Sequence, residues 1–533
     1  MSNESAIDTF LSARASLIQE DRSLRREFSS PNPPRSDKEV EADKIVRKIR
    51  AHEAATIWKE EHPSVPHPFP GMEFLTGKSI IVKTKLFEIL SKMPKGALLH
   101  AHLDATVNAE YLLELAYKYD AVHIRVHEPL DASNLSTNLP EFRYLPSTEF
   151  TSLSSLTDPS YLLGSWVPLK SARNSFPSEL GGQDGFDKWV VGSMTINPTE
   201  AYVTHNTITK IWKKFTSTFI TSTGLIQVEP IFSAYIKQFF LSSIEDGLSY
   251  VEPRINFLNK YMVGADGQEN IPHRDWLIMF DRVMNEVKQE MAQKGREGAF
   301  IGARIIYSTI RFITPEELDW YLEDCIALKK EFPHLIAGFD LVGDENELKP
   351  LIYYAKNLLR FCERQKEEGV DIPFIFHAGE TLGDGTEADL NLYDAILLGT
   401  KRIGHGYSLV KHPKLMETCR EKGIAVEVCP ISNEILRLTS SMPMHPLPIL
   451  MNNGVPVSLS SDDPAVFGNM GLTFDYFQVL VASEITGLST LGALARDSFE
   501  FSTLDEETKK AGLAGFEKRW EEFIDWVLEY GKV

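Results

Sequence analysis

From residue 248 onward, short apolar runs alternate along the chain with longer segments in which apolar residues recur at helical spacing. The apolar runs predict seven strands, at Leu248–Arg254, Gly302–Ser308, Leu335–Val342, Pro373–Ala378, Lys401–Gly406, Ala425–Pro430 and Val455–Ser461. The amphipathic segments predict helices between them, at Asp275–Lys294, Pro315–Phe332, Glu345–Gly369, Lys414–Gly423 and Pro446–Gly454. This alternation is typical of a parallel sheet whose strands are joined by helices.

An eighth strand is predicted at Gly96–His102, ahead of the alternating region. Eight strands that alternate with helices predict an α/β protein, a parallel (β/α)8 TIM barrel over residues 93–533. A doubly wound open sheet is the alternative, and it would bind ligands only at the point where its strand order reverses.

Two regions fall outside this alternation. Residues 1–92 are predicted to form a helical N-terminal arm, for packing or for contact between subunits. Between the first and second strands, residues 120–205 include a stretch rich in Ser, Pro and Asn from Asp131 to Ser178. A structureless loop of that length is uncommon in a compact domain, so we expect a small inserted subdomain over the barrel mouth.

Composition and charge argue against several classes of binding partner and of cellular location. The net charge of −20 on 533 residues argues against binding the phosphate backbone of nucleic acids, which requires a basic surface. No run reaches 18 apolar residues, so no membrane span is expected. Residues 1–30 contain no apolar core of a secretory signal, and the four cysteines are scattered without CxxC spacing. We therefore expect free thiols, a reducing compartment and a cytoplasmic location.

Candidate chemistry begins at the end of the first predicted strand. Side chains two positions apart on a strand point to the same face, so His100 and His102 are expected to share one space. Two imidazoles placed in this way supply half of a transition-metal site. In so long a chain, an isolated His-x-His is more often an ordinary pair, and residues far downstream decide between the two readings.

Those downstream residues are His377, which ends the fifth predicted strand, and Asp462, which follows the eighth. Barrel active sites lie at the carboxyl ends of the strands, so His100, His102, His377 and Asp462 are expected to converge there. Three histidines and one aspartate with an open coordination position are typical of a catalytic metal that activates water.

Three further polar residues at the same edge each allow two readings. Glu380 is either a desolvated carboxyl that donates a proton to substrate or a glutamate in the first turn of a helix. His405 either acts as a base toward the water or orients a neighbour. Asp463 either accepts a hydrogen bond from substrate or caps a helix before Pro464.

Five segments in order resemble the adenosine deaminase superfamily, namely Met93–His102, Phe376–Thr381, Arg402–Gly406, Glu427–Asn433 and Ser460–Gly468. The last two segments, the insertion and the helical arm resemble its adenosine deaminase-related growth factor branch. The resemblance implies one catalytic zinc ion per subunit and hydrolytic deamination of adenosine, and also of 2′-deoxyadenosine, to inosine and ammonia. It also implies a homodimer formed through the N-terminal arm.

The resemblance further implies a role for each matching residue. Zinc is bound by His100, His102, His377 and Asp462, and zinc hydroxide attacks C6 of the purine. Glu380 protonates N1, and His405 with Asp462 positions or deprotonates the water. The substrate-binding positions are Asp104 at the ribose, Trp212 at the nucleoside, Gly343 at N3 and Asp463 at N7. A lone Trp on an amphipathic helix such as that around Trp212 is more often a core residue.

The chain departs from animal members of that branch, which are secreted and carry a disulfide in the insertion. No Cys precedes Cys325 here, so the insertion cannot hold a disulfide within itself. We therefore expect an intracellular enzyme of purine salvage. Two rival readings stay open: a metal-dependent amidohydrolase acting on adenine, AMP or a modified adenosine, and a non-catalytic interaction protein whose insertion binds a partner.

Overall fold

The structure, a computed structural model, describes residues 3–28, 32, 35–63 and 65–532. Its strands are β1 Gly96–Leu98, β2 Val122–Arg125, β3 Glu141–Tyr144, β4 Val167–Pro168, β5 Leu248–Val251, β6 Arg254–Asn256, β7 Tyr261–Val263, β8 Glu269–Pro272, β9 Gly302–Ala303, β10 Ile305–Ile310, β11 Ile336–Val342, β12 Ile375–Ala378, β13 Arg402–His405, β14 Ala425–Val428 and β15 Val457–Leu459. The barrel strands are buried along almost their whole length, as expected of a parallel sheet covered on both faces.

Helices fill the segments between these strands and both ends of the chain. They are α1 Asn3–Asp21, α2 Asp37–Ala55, α3 Phe74–Ile81, α4 Lys85–Lys92, α5 Ala109–Ala116, α6 Leu169–Asn174, α7 Gly182–Ser193, α8 Ile208–Ile226, α9 Glu229–Glu245, α10 His273–Gln293, α11 Pro315–Glu331, α12 Ala355–Glu368, α13 Glu387–Leu397, α14 Pro413–Lys422, α15 Pro430–Ile435, α16 Leu447–Asn452, α17 Pro464–Phe467, α18 Thr473–Val481, α19 Leu488–Glu500 and α20 Glu506–Tyr530. None of the described helices combines the length and apolar character needed to cross a membrane.

The predicted (β/α)8 barrel is confirmed. Parallel ladders run in the orders β1–β5–β9, β6–β10–β11 and β12–β13–β14–β15. Isolated parallel bridges connect these pieces, between His102 and Arg254, between Phe339 and Phe374, and between Ala101 and Asp462. The last of these bridges joins the segment after the first strand to the segment after the last one. The carboxyl ends of the strands therefore meet at one edge, as a barrel requires.

Three strand predictions were wrong in extent. The strand predicted through His102 ends at Leu98, although His102 keeps an extended backbone with φ −91° and ψ 118°. The second predicted strand divides into β5 and β6 around Pro253, which has no N–H to donate to a ladder. The third divides into β9 and β10. The remaining strands differ from the prediction by one or two residues at their ends.

The region predicted as an insertion contains a small antiparallel sheet in the order β3–β2–β4, with α6 and α7 beside it. Two contacts attach it to the barrel edge. The backbone N–H of Ile196 donates to Val466 O at 3.0 Å, and the Tyr202 hydroxyl donates to Glu434 Oε2 at 3.0 Å. The same Glu434 oxygen accepts from the backbone N–H of Phe74 in the N-terminal arm. Glu434 therefore joins the arm, the insertion and the barrel.

The N-terminal arm divides into a packed part and an exposed part. Helix α2 packs on α19 and α20, and its buried Arg50 donates to Leu480 O and Thr486 O. In contrast, residues 6–17 of α1 are all exposed. Residues 1, 2, 29–31, 33, 34 and 64 of the predicted arm lie outside the described residues. The β7–β8 hairpin and the helices α18–α20 were not predicted.

Candidate metal centre and active site

The four predicted metal ligands meet at the carboxyl end of the barrel. His100 and His102 follow β1, His377 lies on β12 and Asp462 follows β15. One potential ligand atom from each of the four side chains lies within 4.8 Å of all the others. His100 Nε2 is 3.1 Å and His102 Nε2 is 3.4 Å from Asp462 Oδ1. The strand ends therefore bring together residues that lie far apart along the chain.

Two carboxylates behind this cluster hold two of its histidines. Glu427 Oε2 lies 2.7 Å from His100 Nδ1, and Asp340 Oδ2 lies 2.6 Å from His377 Nδ1. Burial acts to raise the pKa of each carboxyl, but Arg254 and the adjacent cationic or imidazole groups hold both pKa values below the ordinary range. An ionised carboxylate accepts only, so each histidine donates from Nδ1 and keeps its Nε2 lone pair for a metal ion.

The chemistry of the cluster fits a divalent metal of the zinc type. His100 Nε2 and Asp462 Oδ1 are buried, and neither has a hydrogen-bond partner among the described residues. Burial lowers the pKa of His377 to about 3 against the opposing effect of Asp340, so its imidazole is neutral, as a ligand must be. Imidazole nitrogens and a carboxylate oxygen are ligand types that zinc takes in proteins.

The backbone is shaped around this cluster. A Cβ atom on Gly404 would lie 2.9 Å from His100 Cε1, so a larger residue there would displace the ligand. His405 and Asp462 both adopt a left-handed conformation, with φ 59°. This conformation is costly for residues other than glycine, and such strain is concentrated at functional sites.

Glu380 lies beside the cluster in the loop between β12 and α13. Helix α13 begins only at Glu387, so the reading of Glu380 as a first-turn helical glutamate is wrong. The carboxyl is buried, and its Oε1 has no hydrogen-bond partner in the described part of the chain. Burial, reinforced by Asp462 and Glu345, raises its pKa well above the ordinary value. A neutral carboxyl of this kind can donate a proton.

His405 faces both Asp462 and Glu380. Its Nε2 is 3.8 Å from Asp462 Oδ2, and its Nδ1 is 3.6 Å from Glu380 Oε1. Asn433 Nδ2 lies 3.3 Å from the same Nδ1. Burial lowers the pKa of His405 well below its ordinary value, against the effect of Asp462. Because the Asn433 amide nitrogen can only donate, Nδ1 of His405 accepts and the neutral imidazole carries its proton on Nε2. His405 can therefore donate from Nε2 toward Asp462 and orient a water between them.

Asp463 precedes α17, but its side chain makes no capping hydrogen bond to that helix. Its Oδ1 is buried and has no hydrogen-bond partner among residues 65–532 or the other described ranges. Burial and the neighbouring Asp462 and Asp104 raise its pKa well above the ordinary value. The helix-cap reading is therefore not supported, and Oδ1 is available to contact a substrate.

The other three predicted substrate residues differ in their local surroundings. Asp104 is half-buried next to His102, and burial raises its pKa against the effect of that histidine. Gly343 directly follows β11 with φ 109°, where a Cβ atom would lie 2.7 Å from Leu348 Cδ1. Trp212 on α8 is buried edge-to-face on Phe215, with ring centroids 5.2 Å apart.

Aromatic packing links Trp212 to the site only indirectly. Phe215 stacks on Phe467 at 5.5 Å, and Phe467 belongs to α17, the helix that follows Asp463. Trp212 thus lies one ring beyond the helix at the site, and these ring contacts are those of a core residue.

The sequence reasoning missed five residues around the centre, which are Arg254, Asp340, Glu427, Cys429 and Asn433. Cys429 Sγ falls in a second group of possible ligand atoms with His100, His405 and Asp462, although no sequence spacing singled it out. Burial raises the pKa of this thiol well above the ordinary value. The available signal was the presence of charged residues inside predicted buried strands, where an unpaired charge is costly.

Comparison with known proteins gives three kinds of match. The family model described as adenosine deaminase matches residues 180–518. Adenosine deaminase 2-A of Danio rerio is 32% identical over 458 residues, which cover 85% of this chain and 84% of that protein.

Two solved structures share the fold. The adenine deaminase of Arthrobacter aurescens has a TM-score of 0.53 at 17% identity and covers 80% of this chain and 98% of its own. An amidohydrolase from Burkhoderia ambifaria with bound Zn has a TM-score of 0.52 at 15% identity, and the match covers 83% of this chain and 95% of that one. At these identities the two structures are evidence for the fold alone.

Proposed function

The chain belongs to the adenosine deaminase family, in its adenosine deaminase-related growth factor branch, and is a hydrolytic deaminase of purines; from this premise we propose that it converts adenosine and 2′-deoxyadenosine to the corresponding inosines and ammonia. The observation that carries the proposal is a buried carboxyl, Glu380, whose Oε1 has no hydrogen-bond partner among the described residues, beside a cluster of three histidines and Asp462. Burial and the nearby Asp462 raise the pKa of this carboxyl, which favours its protonated form. A proton donor next to a site for water activation is what hydrolysis of a 6-aminopurine requires.

We propose one zinc ion per chain, held by His100, His102, His377 and Asp462. The donor set and the free Nε2 of His100 support this choice, and the amidohydrolase from Burkhoderia ambifaria, which has the same fold, binds Zn. When bound, zinc lowers the pKa of a coordinated water from about 15.7 to roughly 7.

The protein's own residues then perform the proton transfers. Glu380 donates its proton to N1 of the purine, which makes C6 electrophilic as water adds there. Asp462 accepts the water proton, which is returned to the 6-amino group so that it leaves as ammonia, while the Nε2–H of His405 orients the water beside Asp462. The hydroxyl added at C6 gives up its proton as the 6-oxo group forms, and this proton restores the Glu380 carboxyl. The product is the 6-oxo purine, and the atoms balance as one water consumed and one ammonia released.

The remaining predicted residues position the nucleoside. Asp463, with its raised pKa, is suited to donate a hydrogen bond to N7, which is an acceptor. The backbone N–H of Gly343 faces N3, and Asp104 contacts the ribose. Trp212 would contribute to the nucleoside pocket through the aromatic group that ends on α17.

The direct test follows the absorbance change as purified protein converts adenosine to inosine, with 2′-deoxyadenosine, AMP, adenine and an N6-modified adenosine run in parallel. We expect adenosine to be turned over fastest, chelation to abolish the activity and added zinc to restore it. Faster turnover of AMP or adenine would overturn the nucleoside assignment and favour the amidohydrolase alternative. A metal-loaded protein inert toward all five compounds would favour the non-catalytic alternative.

We also propose that the arm mediates a homodimer. Ile7, Phe10 and Leu11 of α1 are 50%, 61% and 51% exposed and recur at the spacing of one helical face. Most of a helix's stability in a protein comes from packing of its apolar face, so a second copy of α1 is a suitable cover for this exposed face. Sedimentation at micromolar concentration should show a dimer, and Phe10→Asp should shift it toward monomer. A monomeric wild type would contradict the proposal.

The cytoplasmic location and the division into an arm (1–92), a barrel (93–533) and an insertion (120–205) remain proposals. The four cysteines are free thiols, which suits a reducing compartment. Fractionation of cells that produce the protein would test the location, and limited proteolysis at the proposed boundaries would test the division.

A further inference from the structure

Arg254 begins β6 and is completely buried below the metal cluster. Its guanidinium donates from Nε to Asp340 Oδ2 at 2.7 Å and from Nη2 to Glu427 Oε2 at 2.8 Å. One side chain therefore binds two carboxylates on two different strands, β11 and β14.

The oxygens that Arg254 binds are the same oxygens that hold the histidines. Asp340 Oδ2 also binds His377 Nδ1, and Glu427 Oε2 also binds His100 Nδ1. A shift of the guanidinium would therefore change the position of both imidazoles together.

The backbone of Arg254 is tied to the third histidine. Its N–H donates to Ala101 O at 2.8 Å, and a parallel bridge pairs Arg254 with His102. Through its side chain and its backbone, Arg254 thus contacts the immediate support of His100, His102 and His377.

A second buried arginine provides a comparison. Arg402 on β13 binds Glu427 Oε1 and Glu252 Oε2, but it makes no ion pair with Asp340 in the described structure. Arg402 therefore supports one of the two histidine-holding carboxylates, whereas Arg254 supports both.

We propose that Arg254 is a positioning residue that holds His100 and His377 as one unit, through Glu427 and Asp340, and thereby sets the metal affinity of the site. The planar fork of the guanidinium is required, because a lysine ammonium can keep the charge but cannot bind two carboxylates with the same geometry. The inference rests on the metal site proposed above, and it assigns Arg254 no contact with substrate.

The test measures zinc affinity by competition with a chromogenic chelator for wild type, Arg254→Lys, Arg402→Lys and Arg50→Lys. Loss of an outer support of a metal ligand costs about 10- to 100-fold in affinity, and we expect Arg254→Lys to fall in that range. Arg402→Lys should lose less. Arg50→Lys replaces another buried arginine, one that binds Leu480 O and Thr486 O and none of the carboxylates at the site, and it should lower the melting temperature without changing zinc affinity. At saturating zinc, Arg254→Lys should keep the wild-type KM.

The outcomes separate this inference from the metal proposal. A wild type that binds no zinc overturns both, whereas a wild type that binds zinc with the same affinity as Arg254→Lys overturns only the role of Arg254. If Arg254→Lys does not fold, the replacement experiment keeps Arg254 and measures zinc affinity for Asp340→Asn, for Glu427→Gln and for the double variant. If one guanidinium couples the two carboxylates, the fold-loss of zinc affinity in the double variant should differ by at least about threefold from the product of the two single-variant losses. Independent effects would overturn the proposal.

Discussion

Two pairs of acidic residues lie at similar depth around the metal cluster and differ in their partners. The arginine-paired carboxylates, Asp340 and Glu427, each bind Arg254 and a histidine. The arginine-free carboxyls, Glu380 and Asp463, form no ion pair with Arg or Lys among the described residues, and each has one oxygen without a hydrogen-bond partner. All four are buried.

Burial pushes the pKa of all four groups upward, and for Asp340 and Glu427 the neighbouring arginine and histidine groups reverse that effect. The paired groups end with lowered pKa values and the arginine-free groups with raised ones. The same residue types can thus serve as permanent acceptors that orient ligands or as neutral donors that face a substrate. Opposite pKa shifts in one site are a physical basis for assigning acid and base roles.

Glu380→Gln tests the proton-donor role of an arginine-free carboxyl, and it has the largest expected effect. The amide keeps the size of the side chain but removes the transferable proton, so kcat should fall by about 10²- to 10⁴-fold, the usual contribution of a general acid. Metal content, measured by elemental analysis, should stay at the wild-type level. Glu434→Gln is the matched control, since it makes the same change at a buried carboxyl outside the centre and should leave kcat unaltered. Wild-type turnover by Glu380→Gln would refute the donor role.

A smaller effect is expected at Asp463. If its neutral carboxyl donates to N7, Asp463→Ala should lower kcat/KM for adenosine by about 10- to 100-fold, the cost of one strong hydrogen bond. Asp463→Asn, which retains an N–H donor, should lose less. Turnover of 7-deazaadenosine, which lacks N7, isolates the contact, because wild type should discriminate against it and Asp463→Ala should not. Equal discrimination by both proteins would exclude this bond.

The sequence predicted the barrel and the convergence of the candidate metal ligands for related reasons. Apolar runs separated by amphipathic helices leave few alternatives for the fold, and His100, His377 and Asp462 stand where three of those runs end. Because the carboxyl ends of barrel strands share one edge, residues at the ends of different strands could be predicted to lie close together in space.

The supporting residues could not be placed in the same way. Arg254, Asp340 and Glu427 lie within buried strands, and their pairing depends on which strands are opposite across the barrel interior. Periodicity indicates the face on which a side chain lies but not its partner across the core. The hairpin β7–β8 was missed because its strands are short, and β8 is largely exposed.

Glu434 extends the comparison beyond the metal centre, because it is a buried carboxyl with no arginine bound. Burial, opposed by hydrogen bonds from Phe74 and Tyr202, raises its pKa from 4.5 to about 8. The folded state therefore binds a proton that the unfolded state has lost, so this group's contribution to stability is full below about pH 4.5 and disappears as the pH rises toward 8. The amide in Glu434→Gln does not titrate, so this position no longer makes the stability of the variant depend on pH. The melting temperature of the variant minus that of wild type should thus become more positive between pH 5 and pH 8.5, while exposed Glu114→Gln shows no such trend. A difference that is flat with pH would mean that burial without a cation does not keep a carboxyl of this protein protonated, and it would weaken the same argument at Glu380.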